Sequence, residues 1–498
     1  MNVNPITRLD YPDLDVIRVE DTYYMVSTTM HFMPGCEILQ SFDLVHWEHA
    51  TYVYETLDHT DAQQLKSGQN IYGQGMWAAS LRYHEGRFCI CFVANDTRKT
   101  YLYTSEKIDG PWKKQLIEGF YHDGSLLFDE DGRNYIVYGN DEIWITELNE
   151  DLTAPKKDGL HRLLVSDHKN PELGYEGSHI QKINGYYYIF LIHSLRDRWM
   201  RTEACFYSDS LEGEFTGGDV LCDDRGYCGQ GVAQGGIVDT PDGKWYAMLF
   251  QDSGAVGRIP ILLPVTWKDH FPFFGQNGHV PEEIEVHSTR PGYIYQPLVG
   301  SDDFCNGLLP RWQFNHDPDP RYYHLDALQG TYTITTREVC TELTQAVNTL
   351  TQRMSYPSCA AEVTVDASAL KEGDVAGLCA LQSCYAAVGI TKHHGKYEVL
   401  MLDKKEDGIL DMTEGTVVES HQMDFRLEAD FCNMKDEARC YYRVNKGDWL
   451  PIGTVHKLYF KLDHFTGCRF GLFCYAAEET GGSACFRDFK YYDVDEIS

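Results

Sequence analysis

Three isolated carboxylates, Asp13, Asp123 and Glu176, stand at matched places upstream of a repeated turn, together with Trp77 and Gln234. Counted back from the second turn residue, Asp13 lies 8 before Asp21, Asp123 9 before Gly132 and Glu176 9 before Gly185. Trp77 lies 9 before Gly86, and Gln234 9 before Gly243. Two carboxyl groups facing one another across a pocket suit hydrolysis of a glycosidic bond. One, protonated, gives its proton to the leaving oxygen, and the other, ionised, activates water or attacks the sugar. A third acid raises a neighbour's pKa by charge repulsion, which keeps a donor loaded near neutral pH. An indole offers a flat apolar face to a sugar ring. Any one Asp or Glu is as readily a turn residue; three in register carry the argument. No His-x-x-x-His spacing, Gly-rich phosphate loop or Gly-x-Ser-x-Gly elbow competes with this chemistry.

The elements that must hold these residues repeat five times in the first 250 residues. Each is an apolar run, a polar or Gly turn, and an aromatic-rich run, as in Val16-Ile17-Arg18-Val19, then Glu20-Asp21, then Thr22-Tyr23-Tyr24-Met25-Val26. The later copies turn at Glu85-Gly86, Asp131-Gly132, Asn184-Gly185 and Asp242-Gly243. Strand, tight turn and strand make a β-hairpin. A spacing of roughly 45 to 65 residues between equivalent turns is that of propeller blades. The reading is a five-bladed β-propeller. If the repeats are equivalent, all five residues occupy one site type, the entrance to the strand nearest the axis, and converge in one shallow central pocket.

Bulk properties bound the partners. A length of 498 residues calls for two or more domains. The net charge of −32, from 75 acids and 43 bases, argues against nucleic acid and anionic membrane and favours a neutral or cationic ligand. Aromatic residues make up 13% of the chain, and most are expected to fill gaps between blades. The sixteen cysteines include no Cys-x-x-Cys pair and sit mainly in apolar runs, where Cys behaves as a small hydrophobe. No basic stretch with an apolar core opens the sequence, and no apolar run reaches the ~18 residues of a membrane span. A reducing cytoplasm is the expectation these features fit.

The repeats end near Trp267-Lys268-Asp269-His270-Phe271-Pro272, and Pro281, Pro291-Gly292, Pro297 and Gly300 punctuate the next stretch. Alternating segments then recur, among them Thr331-Tyr332-Thr333-Ile334-Thr335 and Tyr397-Glu398-Val399-Leu400-Met401. Period-2 alternation with frequent turns reads as an antiparallel β-sandwich. The expected class is therefore all-β, with a propeller over 1–295 and a concanavalin- or lectin-like sandwich over 300–498.

At these residues the sequence resembles glycoside hydrolase family 43, and the resemblance covers the whole chain. Tyr11-Pro12-Asp13-Leu14-Asp15 looks like the opening that carries the family's catalytic base, which matches Asp13. Met76-Trp77-Ala78-Ala79-Ser80 resembles its Trp-Ala-Pro block, with Ala79 where Pro is usual. His122-Asp123-Gly124-Ser125-Leu126 matches the block of the Asp that modulates the acid's pKa and orients it. Tyr175-Glu176-Gly177-Ser178-His179 is similar to the Glu-Gly-Pro-His block of the general acid, with Ser178 for Pro. Gly257-Arg258 is similar to the late Gly-Arg that reaches the sugar subsite, and His31-Phe32-Met33-Pro34-Gly35 to the loop walling the pocket. The C-terminal half resembles the accessory sandwich of the family's xylosidase branches.

The resemblance implies an inverting, exo-acting β-xylosidase on xylo-oligosaccharides, with Asp13 as base, Glu176 as acid and Asp123 as modulator. Trp77, Arg258, Phe32, His31 and Gln234 would contact substrate. An α-L-arabinofuranosidase, alone or combined with xylosidase activity, is the rival within the family. A sugar-binding propeller without catalysis and a scaffold for protein partners are the rivals outside it. No cofactor is required. Many members hold Ca²⁺ on the axis through a fifth-blade His, where this chain has Gln234. Related sandwiches bind a structural Ca²⁺ through acids near their termini, which singles out Asp303 and Asp488. Oligomeric state, a homo-oligomer included, stays open.

Overall fold

Each of the five repeats folds as a four-stranded antiparallel sheet in the computed structural model, which describes residues 2–413 and 415–493. The first blade is built from Asp15–Val19, Thr22–Val26, Gly35–Ser41 and Glu48–Tyr54. The innermost strands of the others are Met76–His84, Ser125–Phe128, Glu176–Ile183 and Val232–Asp239, and they contact one another around the axis. All-β class, five blades and a concanavalin-like second domain are what the chain adopts. No α-helix occurs among the described residues.

Aromatic side chains pack the gaps between blades. Tyr54 of the first blade lies 5.9 Å from both Phe92 and Tyr103 of the second, ring centre to ring centre. Tyr188 of the fourth blade meets Trp267 of the fifth edge-on at 5.2 Å. Phe92 is 1% exposed, and truncating such a ring to Ala costs about 3–5 kcal/mol. Ring closure uses Asn4, whose amide nitrogen donates to the Leu262 carbonyl at 2.7 Å while its oxygen accepts from the Leu262 N–H at 3.0 Å.

Polar groups tie the blades at the axis. The Arg82 guanidinium donates to Asp15 (2.6 Å), the Leu126 carbonyl (2.8 Å), Ser125 Oγ (2.8 Å) and the Ile180 carbonyl (3.2 Å). One side chain of the second blade thus holds the first, third and fourth. Burial would raise the Asp15 carboxyl, but Arg82 and His179 hold it down at about 2. Removing one member of such a buried pair costs about 3–5 kcal/mol.

The second domain packs a nine-stranded sheet on a seven-stranded one. Leu378, Val388, Phe425, Leu427, Phe470 and Phe486 fill the space between them, each 0% exposed. The residues from 494 onward, within the expected sandwich, lie outside the described residues. The two domains are not beads on a linker. Phe32–Met33, from a top loop of the first blade, pairs with Gln313–Asn315 and so becomes the edge of the nine-stranded sheet. Ala255, Val256 and Ile259 of the fifth blade belong to the sandwich core. Arg353 of the sandwich reaches Glu37 of the propeller at 2.8 Å. All sixteen cysteines are free thiols.

Candidate active site

The innermost strand of each blade enters through one residue in left-handed backbone geometry: Asp13 (φ 51°), Ala78 (φ 31°), Asp123 (φ 47°), Gly177 (φ 64°) and Gln234 (φ 59°). In blades two, four and five this residue begins a β-bulge, where pairing slips between Trp77 and Ser80, Glu176 and His179, and Ala233 and Gly236. A bulge re-aims side chains, and non-Gly residues in this geometry cost about 1–3 kcal/mol each. Strain repeated around one ring marks a functional mouth.

The structure places Asp13, Asp123 and Gln234 at equivalent left-handed positions and Trp77 and Glu176 one residue earlier. Counting from the turn hid that offset because the turns differ in length. Two residues separate Val19 from Thr22, His84 from Arg87 and Ile183 from Tyr186, whereas five separate Phe128 from Asn134 and Asp239 from Trp245. All five residues still meet at one end of the axis.

The floor of this mouth, lined by Asp13, Ala78 to Ser80, Asp123, Gly177 and Gln234, encloses a cavity of about 10 Å³. That is room for a water, so any larger ligand would sit above it, beside Trp77 and Glu176. Asp13 is held by both oxygens. Thr28 Oγ1 donates to Oδ2 at 2.8 Å, and Arg258 Nη1 to Oδ1 at 2.8 Å. Glu176 accepts a 2.7 Å hydrogen bond on Oε2 from the Asn140 amide. Asp123 Oδ2 accepts from the Gly177 N–H at 3.1 Å. His122 Nε2 lies 3.6 Å from Asp123 Oδ2 and 3.7 Å from Glu176 Oε2. Burial, with Glu176 and Asp13 nearby, pushes Asp123 up to about 6 against the opposing pull of His122. Asp123 and the other carboxylates raise His122 to about 9, so this imidazole is a cation at neutral pH.

The sandwich completes the wall. Phe465 lies 5.4 Å from the Trp77 ring, its own ring sits 4.3 Å below the Arg258 guanidinium, and its carbonyl accepts from Arg258 Nη2 at 3.4 Å. Asp10 fixes this junction, accepting from the Arg258 N–H and the Gly467 N–H, each at 2.7 Å. A side chain on Gly467 would strike the Val256 carbonyl, so the loop carrying Phe465 can approach only as glycine.

His31 and Phe32 do not wall the pocket, contrary to expectation. They are 0% and 1% exposed and turn into the domain junction, where His31 packs on His316 (4.8 Å) and His464 (5.3 Å). The strand they start is consumed by pairing with the sandwich, which carries both side chains away from the mouth.

The metal expectations fare differently from the acids. Gln234 offers one carbonyl oxygen, and the axial carboxylate Asp15, near Gly236, is committed to Arg82, His179 and the Leu81 N–H. These residues do not fit an axial calcium. Asp303 accepts from the Cys305 N–H at 2.9 Å, and neither it nor Asp488 joins a convergent set of three donors among the described residues. His122, Asp123 and Glu176 do converge, within 4.8 Å. The His122 imidazole, a cation at neutral pH, offers no free lone pair to a metal.

A cavity of about 460 Å³ opens at the opposite end of the axis among Arg18, Tyr83, Lys182, Asp239 and Trp245. Its charges neutralise one another, Arg18 with Asp239 and Lys182 with Asp129. No free acid and base face each other there, so the chemistry belongs at the strained mouth.

Sequence reasoning singled out neither His122, Asn140 nor Phe465. His122 stands inside the Asp123 block and was readable as a titratable neighbour. Asn140 ends the second strand of its blade, and Phe465 is 207 residues from Arg258, with no local signal.

Comparison with known proteins finds two family models that match the chain. Residues 3–272 match the model of glycosyl hydrolases family 43, and residues 301–492 match the beta xylosidase C-terminal concanavalin A-like domain. A beta-xylosidase of Formosa agariphila is 26% identical over 99% of this chain and 89% of its own length. A non-reducing end alpha-L-arabinofuranosidase of Bacteroides ovatus is 24% identical over 82% of this chain and 79% of its own. Among solved structures, a bifunctional GH43-CE protein of Bacteroides eggerthii superposes with a TM-score of 0.91 at 41% identity, covering 99% of this chain. This chain spans 64% of that protein's length.

Proposed function

The chain belongs to glycosyl hydrolases family 43, and on that premise we propose that it removes terminal β-1,4-linked D-xylose from xylo-oligosaccharides with inversion at the anomeric carbon. The observation that carries this reading is the pair of acids with opposite surroundings at one mouth. Asp13 has both oxygens held by donors, Thr28 and Arg258, which suits an ionised base aimed at water. Glu176 has Oε2 held by Asn140, leaving Oε1 to carry a proton to the glycosidic oxygen.

Water attacks the anomeric carbon as Asp13 takes its proton, and Glu176 protonates the departing oxygen in the same step. The C–O bond breaks, and the pentose leaves with inverted configuration. Trp77 and Phe465 give the sugar apolar faces. The sandwich loop bearing Phe465 closes one side of the mouth, which favours removal of end residues over cleavage within a chain.

Initial rates on 4-nitrophenyl β-D-xylopyranoside and 4-nitrophenyl α-L-arabinofuranoside test the substrate, with faster xyloside turnover expected. Arabinoside-only turnover overturns the choice of sugar and leaves α-L-arabinofuranosidase, the activity named for the Bacteroides ovatus relative. Glu176→Ala should keep binding xylobiose but stop cleaving it; cleavage at the wild-type rate overturns the acid assignment.

A further inference from the structure

Four groups crowd the acid side of the mouth, and only three have a stated task. His122 Nε2 stands almost equidistant from Glu176 Oε2 and Asp123 Oδ2, at 3.7 and 3.6 Å. That nitrogen is shielded from solvent and has no hydrogen-bond partner within the protein. The backbone fixes the ring's base, since the His122 carbonyl accepts from the Gly139 N–H at 3.0 Å. Trp77 flanks the ring at 6.2 Å. An imidazole nitrogen left without a partner between two carboxylates is costly unless the arrangement serves them.

We infer that His122 is a positioning residue of the general acid, with its Nε2–H shared between Glu176 Oε2 and Asp123 Oδ2 so that Glu176 delivers its proton from Oε1. This rests on the proposed hydrolase reading. Asn140 already donates to the same oxygen, Oε2, from the solvent side. With Asn140 on Oε2 and the His122 nitrogen 3.7 Å from the same oxygen, Oε1 is left as the site for the transferable proton. The O–H bond to Oε1 breaks as the proton passes to the glycosidic oxygen, and the resulting carboxylate is received by Asn140 and His122. Asp123, in turn, is held in place by the same ring and by the Gly177 N–H.

The groups facing His122 are Asp123 from its own entry turn, Glu176 from the fourth blade and Asp13 from the first, with Arg258 paired to Asp13. The charge of the ring lowers Asp123 against burial, so it also bears on where the acid limb of the pH profile falls.

The test compares His122→Phe and His122→Gln with wild type on xylobiose and 4-nitrophenyl β-D-xylopyranoside, across pH, with EDTA present throughout. Nitrophenolate leaves with little protonation, so a misplaced acid hurts the disaccharide more. His122→Phe is expected to lose kcat on xylobiose by about 10- to 100-fold with KM little changed, and to lose much less on the aryl glycoside. His122→Gln, which keeps a donor without charge, is expected to recover part of the xylobiose rate. Both variants should move the acid limb to higher pH. Equal losses on the two substrates with an unmoved profile overturn the inference and leave a structural role. Should His122→Phe fail to fold, the His122→Gln profile decides alone: an unmoved acid limb overturns the inference. Wild type inactive on xylosides and arabinosides alike overturns the proposed function and this inference with it.

Discussion

Arg258 Nη1 lies 2.8 Å from Asp13 Oδ1, and the two side chains are 2% and 8% exposed. The guanidinium simultaneously meets the Phe465 carbonyl, so one residue joins the base of the propeller site to the sandwich. Arg258→Lys keeps the charge but cannot reach both partners from a flat fork. It is expected to lower kcat/KM by about 100-fold with thermal stability little changed, as measured by steady-state kinetics alongside calorimetry.

Phe465→Ala removes the ring beneath Arg258 and beside Trp77 without touching any acid. The expected outcome is a raised KM for xylobiose and a loosened end-preference, read as slow release of longer products from xylohexaose. Unchanged product length would place Phe465 outside the substrate's reach.

Residues 1–295 expressed alone should not give an active propeller. Ala255, Val256 and Ile259 are part of the sandwich core, and separation exposes them while deleting Phe465. Size-exclusion chromatography is expected to show aggregation, and activity to be absent; a soluble, active fragment would contradict this.

Arg82→Met leaves Asp15 buried without its cation. The loss expected is about 3–5 kcal/mol, measured as a fall in denaturant midpoint. Asp15 is depressed to about 2 in the fold, so its contribution is present above the ordinary carboxylate range. In wild type it fades as pH falls from about 4 towards 2, and in Arg82→Met that acid-induced loss should shrink.

His31, His316 and His464 are buried against one another, and burial drives all three down, His464 to about 3. The unfolded chain binds protons on these rings below about 6.5, and the native one does not, so stability falls as pH drops through that value. His464 immediately precedes Phe465, so acid should cost activity together with stability. Unfolding followed at pH 7.5, 6 and 5 is expected to show a progressive fall, smaller in His464→Phe.

Asp123, raised to about 6, adds a separate, catalytic pH dependence. If its ionised form is the working one, kcat/KM rises with pH around that value, and Asp123→Asn gives a low, flat profile.

The hairpins and acids were legible because they are local. Alternation and turn residues act within a dozen positions, and the same five units recur, so the arrival of Asp13, Asp123 and Glu176 at one mouth followed from the repeat. The one-residue offset of Trp77 and Glu176 was not legible, since it depends on turn length rather than residue type. His31 and Phe32 misled because a loop motif says which residues are adjacent but not which partner strand claims them. Pairing of Phe32–Met33 with Gln313–Asn315 settled that.

By itself the amino-acid order determined the class of fold, the number of blades and the identity of the three acids, all consequences of short-range patterning. Only the tertiary structure decided what surrounds them: His122 and Asn140 on Glu176, Thr28 and Arg258 on Asp13, Arg82 in the axis and Phe465 over the mouth. Those contacts join residues far apart in the chain, and their strength comes from burial, which exists only once both domains have closed around them.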